Sequence, residues 1–154
     1  MTKKINKQQI LTLERYLPYR LSILSNKVSG IIAQTYKGKF ALSITEWRIM
    51  AVLGEYPEAS ADEVSARTQI EKSILSRAIS KLLSRKLITR SFDKDDKRRS
   101  ILMLTKTGLS VYDEMVPISY KYEQDLLTCF NKQEREVFSQ LIDRLYSHAG
   151  ELEE

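Results

Sequence analysis

The chain reads as a mainly α-helical protein with one small β-hairpin. Three observations carry this. Three helix-start signatures place a Ser or Asn side chain three residues ahead of a Glu, and apolar residues recur at three- and four-residue spacing along much of the chain. Two short β-forming runs, LITRSF and RSILMLT, flank one densely charged stretch. With 154 residues, 42% of them hydrophobic and 29% charged, the chain suits one compact domain or one domain with an appended helical part.

The N-terminal MTKKINKQQILTLERY holds no apolar run long enough for a signal peptide or a membrane span. The single cysteine, Cys129, cannot close an internal disulfide, and a buried, inert thiol is expected there. These features predict a soluble, cytoplasmic protein with no membrane partner.

The elements follow in chain order. Pro18 suits the first turn of a long helix running to about Lys37, because proline there gives up no intrahelical hydrogen bond. The pairs Ser43 with Glu46 and Ser60 with Glu63 are capping boxes that open helices over about Thr45 to Gly54 and Ala61 to Arg67. The segment IEKSILSRAISKLLSRK is the most regular helix. Ile70, Ile74, Ala78 and Leu82 fall on one line with Leu75, Ile79 and Leu83 beside it, giving a broad apolar stripe toward a core. A two-stranded hairpin follows, with a loop of about five to seven residues. Gly108 to Thr128 continues as a helix in which Pro117 predicts a kink. Asn131 with Glu134 opens a last helix from Lys132 to Ala149, with Gly150 as its stop.

Three helices followed by a hairpin is the order of a winged helix-turn-helix. The expected organisation is an N-terminal helical dimerisation segment (1–40), a winged lobe (41–107) and C-terminal dimerisation helices (108–154). The first helix carries Leu21, Leu24, Val28, Ile31 and Ile32, and the last carries Val137, Phe138, Leu141, Ile142 and Leu145. A chain this small offers no internal partner for all three long helices, so a second copy is the economical one.

Charge locates the function. The net charge is only +5, yet Ile70 to Ser100 holds ten bases against four acids. A basic bias confined to one segment points to a local anionic partner, double-stranded DNA. On the regular helix the non-apolar face consists of Lys72, Ser73, Ser76, Arg77, Ser80, Lys81, Ser84 and Arg85, with no acid after Glu71. An ordinary solvated face mixes Glu with Lys to gain ion pairs of about 0.2–0.5 kcal/mol each. Short serines between bases instead let a helix approach base edges in a major groove. Ser73, Ser76, Arg77 and Lys81 are the expected base readers, and Lys72 and Arg85 the phosphate contacts. In the hairpin loop DKDDKRR, Lys94, Lys97, Arg98 and Arg99 are expected to contact DNA, with Arg98 in the minor groove. Asp96 is expected to stabilise the wing by capping the turn or by holding an arginine.

With those residues in view, the chain resembles the MarR (multiple antibiotic resistance regulator) family of transcription factors. The wing signature of that family is met by Asp96, Lys97 and Arg98, then RSILML, then Thr105 and Gly108. Ser76-Arg77 matches the family's recognition helix, and LSITEWRIMAVL, with Trp47 and Arg48, matches the helix before it. The resemblance runs from about Pro18 to Ala149. One departure is Lys86-Leu87 where Gly-Leu is common. A lysine in the left-handed position costs about 1 kcal/mol relative to glycine and puts the local turn in question.

The resemblance implies a homodimer acting as a repressor on a pseudo-palindromic operator. It further implies a small aromatic or phenolic effector in a cleft lined by Tyr16, Tyr19, Arg20, Tyr36, Trp47 and Arg48. No cysteine stands near the start of the first helix, where some members sense oxidants. Two rival classes fit less well. An enzyme lacks support: His148 and Cys129 are single, so there is no metal site or cofactor set, and no glycine-rich phosphate loop or nucleophile elbow occurs. A winged-helix module that binds protein without specific DNA binding would present an apolar or acidic face instead of a basic one.

Overall fold

The computed structural model describes residues 9–96 and 98–153. A short 3-10 turn at Leu13–Arg15 leads into α1 (Leu17–Phe40), α2 (Ile44–Glu55), β1 (Ala59–Ser60), α3 (Ala61–Thr68) and α4 (Lys72–Ser84). Then come β2 (Ile88–Phe92), β3 (Ser100–Leu104), α5 (Lys106–Leu126), a second 3-10 turn at Leu127–Cys129, and α6 (Lys132–Glu151). The chain divides into two compact units, one ending at Tyr112 and the other beginning at Asp113.

Local chemistry starts the helices where the sequence places them. In each of the three capping boxes the Ser or Asn side chain accepts from the N–H of the Glu while the Glu carboxylate accepts from the N–H of the cap, so two unpaired donors are satisfied reciprocally. Pro18 occupies the first turn of α1.

Helix ends were harder to foresee. α1 runs to Phe40, and the chain reverses at Ala41, whose φ is 53°. The turn is closed by the Ala41 N–H on the Lys37 carbonyl and the Leu42 N–H on that of Tyr36, with Tyr36 and Leu42 both buried. Gln69 ends α3 and Lys86 follows α4 in the same left-handed conformation, at φ 57° and 58°, while none of the described glycines has positive φ. Gly150, expected to stop the last helix, lies inside α6. Glycine permits a left-handed stop but does not impose one, and the carbonyls of His148, Ala149 and Gly150 are satisfied by a right-handed continuation.

The first unit is organised around α2. Ile49, Met50 and Leu53 of α2 meet Val64 of α3, Leu75, Ile79 and Leu82 of α4, and Leu102 of β3, all buried. Burying side chains of this size contributes about 1.5–3 kcal/mol each, enough to hold three short helices that would not persist alone. The expected two-stranded hairpin is part of a three-stranded antiparallel sheet of order β1-β3-β2, with Ala59 opposite Leu102 and Arg90 opposite Leu102 on the other side. β1 is only two residues long, too short to leave a periodic signal. Gly54 is where the ring of Tyr112 lies against α2: a Cβ there would fall 2.2 Å from the ring.

In the second unit α5 includes Pro117, and Phe130 packs on Phe138 with ring centroids 5.3 Å apart. The Arg135 Nε donates to the carbonyls of Leu127 and Phe130 and holds the turn before α6. Cys129, expected to be buried, is exposed. Its thiol lies 3.6 Å from the Leu126 carbonyl, while the half-buried Phe130 beside it takes the packing position on Phe138.

Candidate nucleic-acid interface

α4 rotates its residues into two faces. Leu75, Ala78, Ile79 and Leu82 are buried, while Lys72, Ser73, Ser76, Arg77, Ser80, Lys81, Ser84 and Arg85 are exposed. Ile74 departs from the expected apolar stripe. It is 42% exposed and lines a cleft of about 210 Å³ with Ser43 and Thr45 from the start of α2 and Arg77 and Lys81 from α4. Sequence spacing put Ile74 in the core, whereas the neighbouring Leu75 and Ala78 take the buried positions. Among the described residues Arg77 and Lys81 make no ion pair; Lys72 lies 3.8 Å from Asp62, and both of those side chains are largely in water. Ser73 donates to Glu71 at 2.8 Å.

The end of α4 is held from two sides. The Lys86 N–H reaches the Leu83 carbonyl and the Leu87 N–H that of Leu82, so the left-handed Lys86 closes a Schellman turn without glycine. Thr105, directly after β3, donates its hydroxyl to the Lys86 carbonyl at 2.7 Å and accepts from the Gly108 N–H at 3.0 Å, capping α5. A Cβ on Gly108 would fall 2.0 Å from the Leu87 carbonyl oxygen. The spacing of Thr105 and Gly108 therefore has a steric origin: one hydroxyl bridges two helix ends, and only glycine lets them meet this closely.

Two expected phosphate contacts are engaged within the chain. Arg85 donates to the carbonyls of Phe40 at 2.7 Å and Ala41 at 3.0 Å, and lies 3.9 Å from Glu46. Arg99 pairs with Glu63 of α3 at 2.5 Å.

The charged loop is ordered by its acids. The Asp93 carboxylate accepts the Asp95 N–H and that of Asp96 accepts the Arg98 N–H, each at 3.0 Å. The Arg99 N–H reaches the Asp96 carbonyl, and the Asp93 N–H reaches that of Arg99. Of the two roles expected of Asp96, it takes the capping of the turn through the backbone, while the neighbouring Arg99 is held by Glu63. Lys94 and Arg98 are exposed on this loop; Lys97 lies outside the described residues.

The six residues expected to line an effector cleft are divided. Tyr19 and Arg20 line a cleft of about 460 Å³ on α1 with Glu14, Leu17, Leu21 and Leu24. Tyr36 and Trp47 belong instead to an aromatic stack, 5.9 Å apart, that continues to Tyr112 at 6.1 Å. Arg48 donates to Ser29 at 3.5 Å, and Tyr16 caps the start of α1 without lining that cleft. Among the described residues no three metal-ligating side chains cluster, and no helix is long and apolar enough to cross a membrane.

This geometry can be set against known proteins. Residues 42–99, from the cap of α2 to the last arginine of the wing loop, match the family model described as MarR family. A solved MarR/EmrR family transcriptional regulator from Acinetobacter sp. ADP1 superposes over 92% of this chain and 99% of its own, with TM-score 0.83 and 26% identity. Streptococcus pneumoniae FabT, solved in complex with DNA, covers 88% of this chain and 96% of its own at TM-score 0.74 and 20% identity. Bordetella bronchiseptica BpsR, whose DNA binding is regulated by 6-hydroxynicotinic acid, covers 84% of this chain and 98% of its own at TM-score 0.76 and 24% identity. An uncovered basic helix beside an ordered basic wing, on a fold matched over almost its whole length, makes the chain similar to the DNA-binding transcriptional regulators of the MarR family.

Proposed function

We propose that the protein is a homodimeric repressor of a pseudo-palindromic operator, with half-sites about one helical turn, roughly 10 base pairs, apart. The observation that carries this is the acid-free outer face of α4, where Arg77 and Lys81 stand exposed between serines and make no ion pair among the described residues. In this reading Ser73, Ser76, Arg77 and Lys81 approach base edges, with Ile74 placed to touch a thymine methyl. Lys72 meets a phosphate, and Arg98 enters the minor groove beside Lys94 and Lys97.

Dimerisation is supported by apolar side chains left in water by a single copy: Leu21, Leu24 and Ile31 of α1, and Leu141, Ile142 and Leu145 of α6 are each between 42% and 51% exposed. Residues 1–40 and 108–154 supply the interface, and 41–107 the reading lobe. The cleft holding Tyr19 and Arg20 is the seat of an aromatic acid that relieves repression, a reading supported by one tyrosine and one arginine in the same apolar lining and by the ligand control of BpsR. A repressor of this kind works in the cytoplasm, beside the DNA.

Selection of bound duplexes from a random pool tests the reading. A palindrome, with a dimer mass by light scattering, is the expected result. Recovery of unenriched sequence by a monomer would leave the winged-helix protein-binding module standing instead.

A further inference from the structure

Two carboxylates in the reading lobe each do two things. Glu63 closes the capping box of α3 with Oε2, which accepts the Ser60 N–H at 3.4 Å, and its Oε1 takes Arg99 of the wing loop. Glu46 closes the box of α2 with Oε1, which accepts the Ser43 N–H at 3.4 Å, and its Oε2 lies 3.9 Å from Arg85 at the end of α4. A capping box needs only one carboxylate oxygen. In both cases the spare oxygen faces an arginine, and in both the arginine belongs to an element that reads DNA. The third box is different: Glu134, at the start of α6, makes no ion pair among the described residues.

We propose that Glu46 and Glu63 are positioning residues for DNA reading, each using one oxygen to start a helix of the lobe and the other to anchor an arginine of the recognition helix or the wing. Arg85 and Arg99 are accordingly struts and not phosphate ligands. The inference rests on the DNA-reading assignment above and adds the parts that hold the reader still.

The geometry favours struts. The Arg85 fork donates to two carbonyls at the end of α1, where a cation is also favoured by the helix dipole, and the Glu46 carboxylate lies within ion-pair distance at 3.9 Å. The fork pins the rear of α4 to α1, and the Glu46 side chain it approaches is only 9% exposed. Arg99 would have to leave a close carboxylate to reach a phosphate. While it stays, the backbone of its neighbour Arg98 is fixed from both sides, by Asp96 and by the Glu63 pair. The loop then meets DNA already ordered, and the entropy of ordering it is not charged against binding.

The sign of one substitution separates this from simple electrostatics. Glu63→Gln keeps an oxygen for the Ser60 cap and removes a negative charge from a surface near DNA, so charge alone predicts tighter binding. The strut predicts weaker binding. Affinity of the full-length protein is measured on the selected operator and on a scrambled duplex at several salt concentrations. Glu63→Gln and Arg99→Ala are each expected to weaken operator binding about tenfold, leave the scrambled duplex and the salt slope unchanged, and show no further loss when combined. Arg85→Lys, which keeps a charge for a phosphate but not the fork, is expected to lose operator affinity as well.

A flatter slope for Arg99→Ala, by about 0.9 per subunit, or additive losses in the double variant, would make Arg99 a phosphate ligand and overturn the inference. So would tighter binding by Glu63→Gln. A readout without DNA is amide exchange at Asp93 and Arg99, which close the loop: it should speed up several-fold in Glu63→Gln, and unchanged exchange refutes the strut. Failure of the DNA reading itself looks different, since the unaltered protein would then select no sequence at all.

Discussion

Replacing Thr105 with valine keeps the shape of the side chain and removes one hydroxyl. That hydroxyl makes two bonds, donating to the Lys86 carbonyl at 2.7 Å and accepting from the Gly108 N–H at 3.0 Å. Loss of a helix cap costs about 1 kcal/mol, within a range of roughly 0.5–2. The bond to Lys86 adds about 0.5–1.5 kcal/mol, and Gly108 is buried, so water does not freely replace the lost partner. Together Thr105→Val should destabilise the protein by about 2–3 kcal/mol and lower Tm by about 5–10 °C. Thr105→Ser, which retains the hydroxyl, should stay within about 0.5 kcal/mol of the unaltered protein. The assay is urea and thermal unfolding at one fixed protein concentration, because the proposed dimer would make apparent stability concentration-dependent. Equal behaviour of the valine and serine variants would refute the bridging role and leave Thr105 as a packing residue only.

Other consequences are as direct. Gly108→Ala drives a Cβ into the Leu87 carbonyl and should cost about 3 kcal/mol, whereas Gly38→Ala, with nothing within 4 Å, should stabilise by about 0.5–1 kcal/mol in the same unfolding experiment. Lys86→Gly relieves a left-handed lysine while loosening the unfolded chain, and a net gain of about 0.5 kcal/mol is expected in urea unfolding. Arg77→Ala should weaken the selected operator by about 1–3 kcal/mol and spare scrambled DNA, which titration of both duplexes will show. Asp96→Ala removes an acid yet also the acceptor for the Arg98 N–H, so operator binding should weaken at every salt concentration; stronger binding would mean that the acids do not order the loop.

Much of this was legible in the sequence because it is local. A capping box is complete within four residues, so Ser43, Ser60 and Asn131 announced their helices without any tertiary partner. The wing was legible for the same reason, as two β-forming runs around an obligatory turn, and the exposed basic face of α4 as a charge pattern along one helix. Left to the tertiary structure were the features that depend on a second segment. β1 exists because Ala59 and Ser60 meet β3, and Ile74 is left in a cleft that the start of α2 shares with α4. Tyr36 and Trp47 join a stack with Tyr112 instead of lining the cleft of Tyr19 and Arg20. Charge shows the same division most sharply. Composition marked Arg77, Arg85, Arg98 and Arg99 alike as bases in one basic segment, and packing separated them, engaging Arg85 and Arg99 with carbonyls and carboxylates and leaving Arg77 and Arg98 to solvent. The sequence sets how much charge a segment carries; which charges are free to meet DNA depends on acceptors that only the folded chain brings within hydrogen-bonding distance.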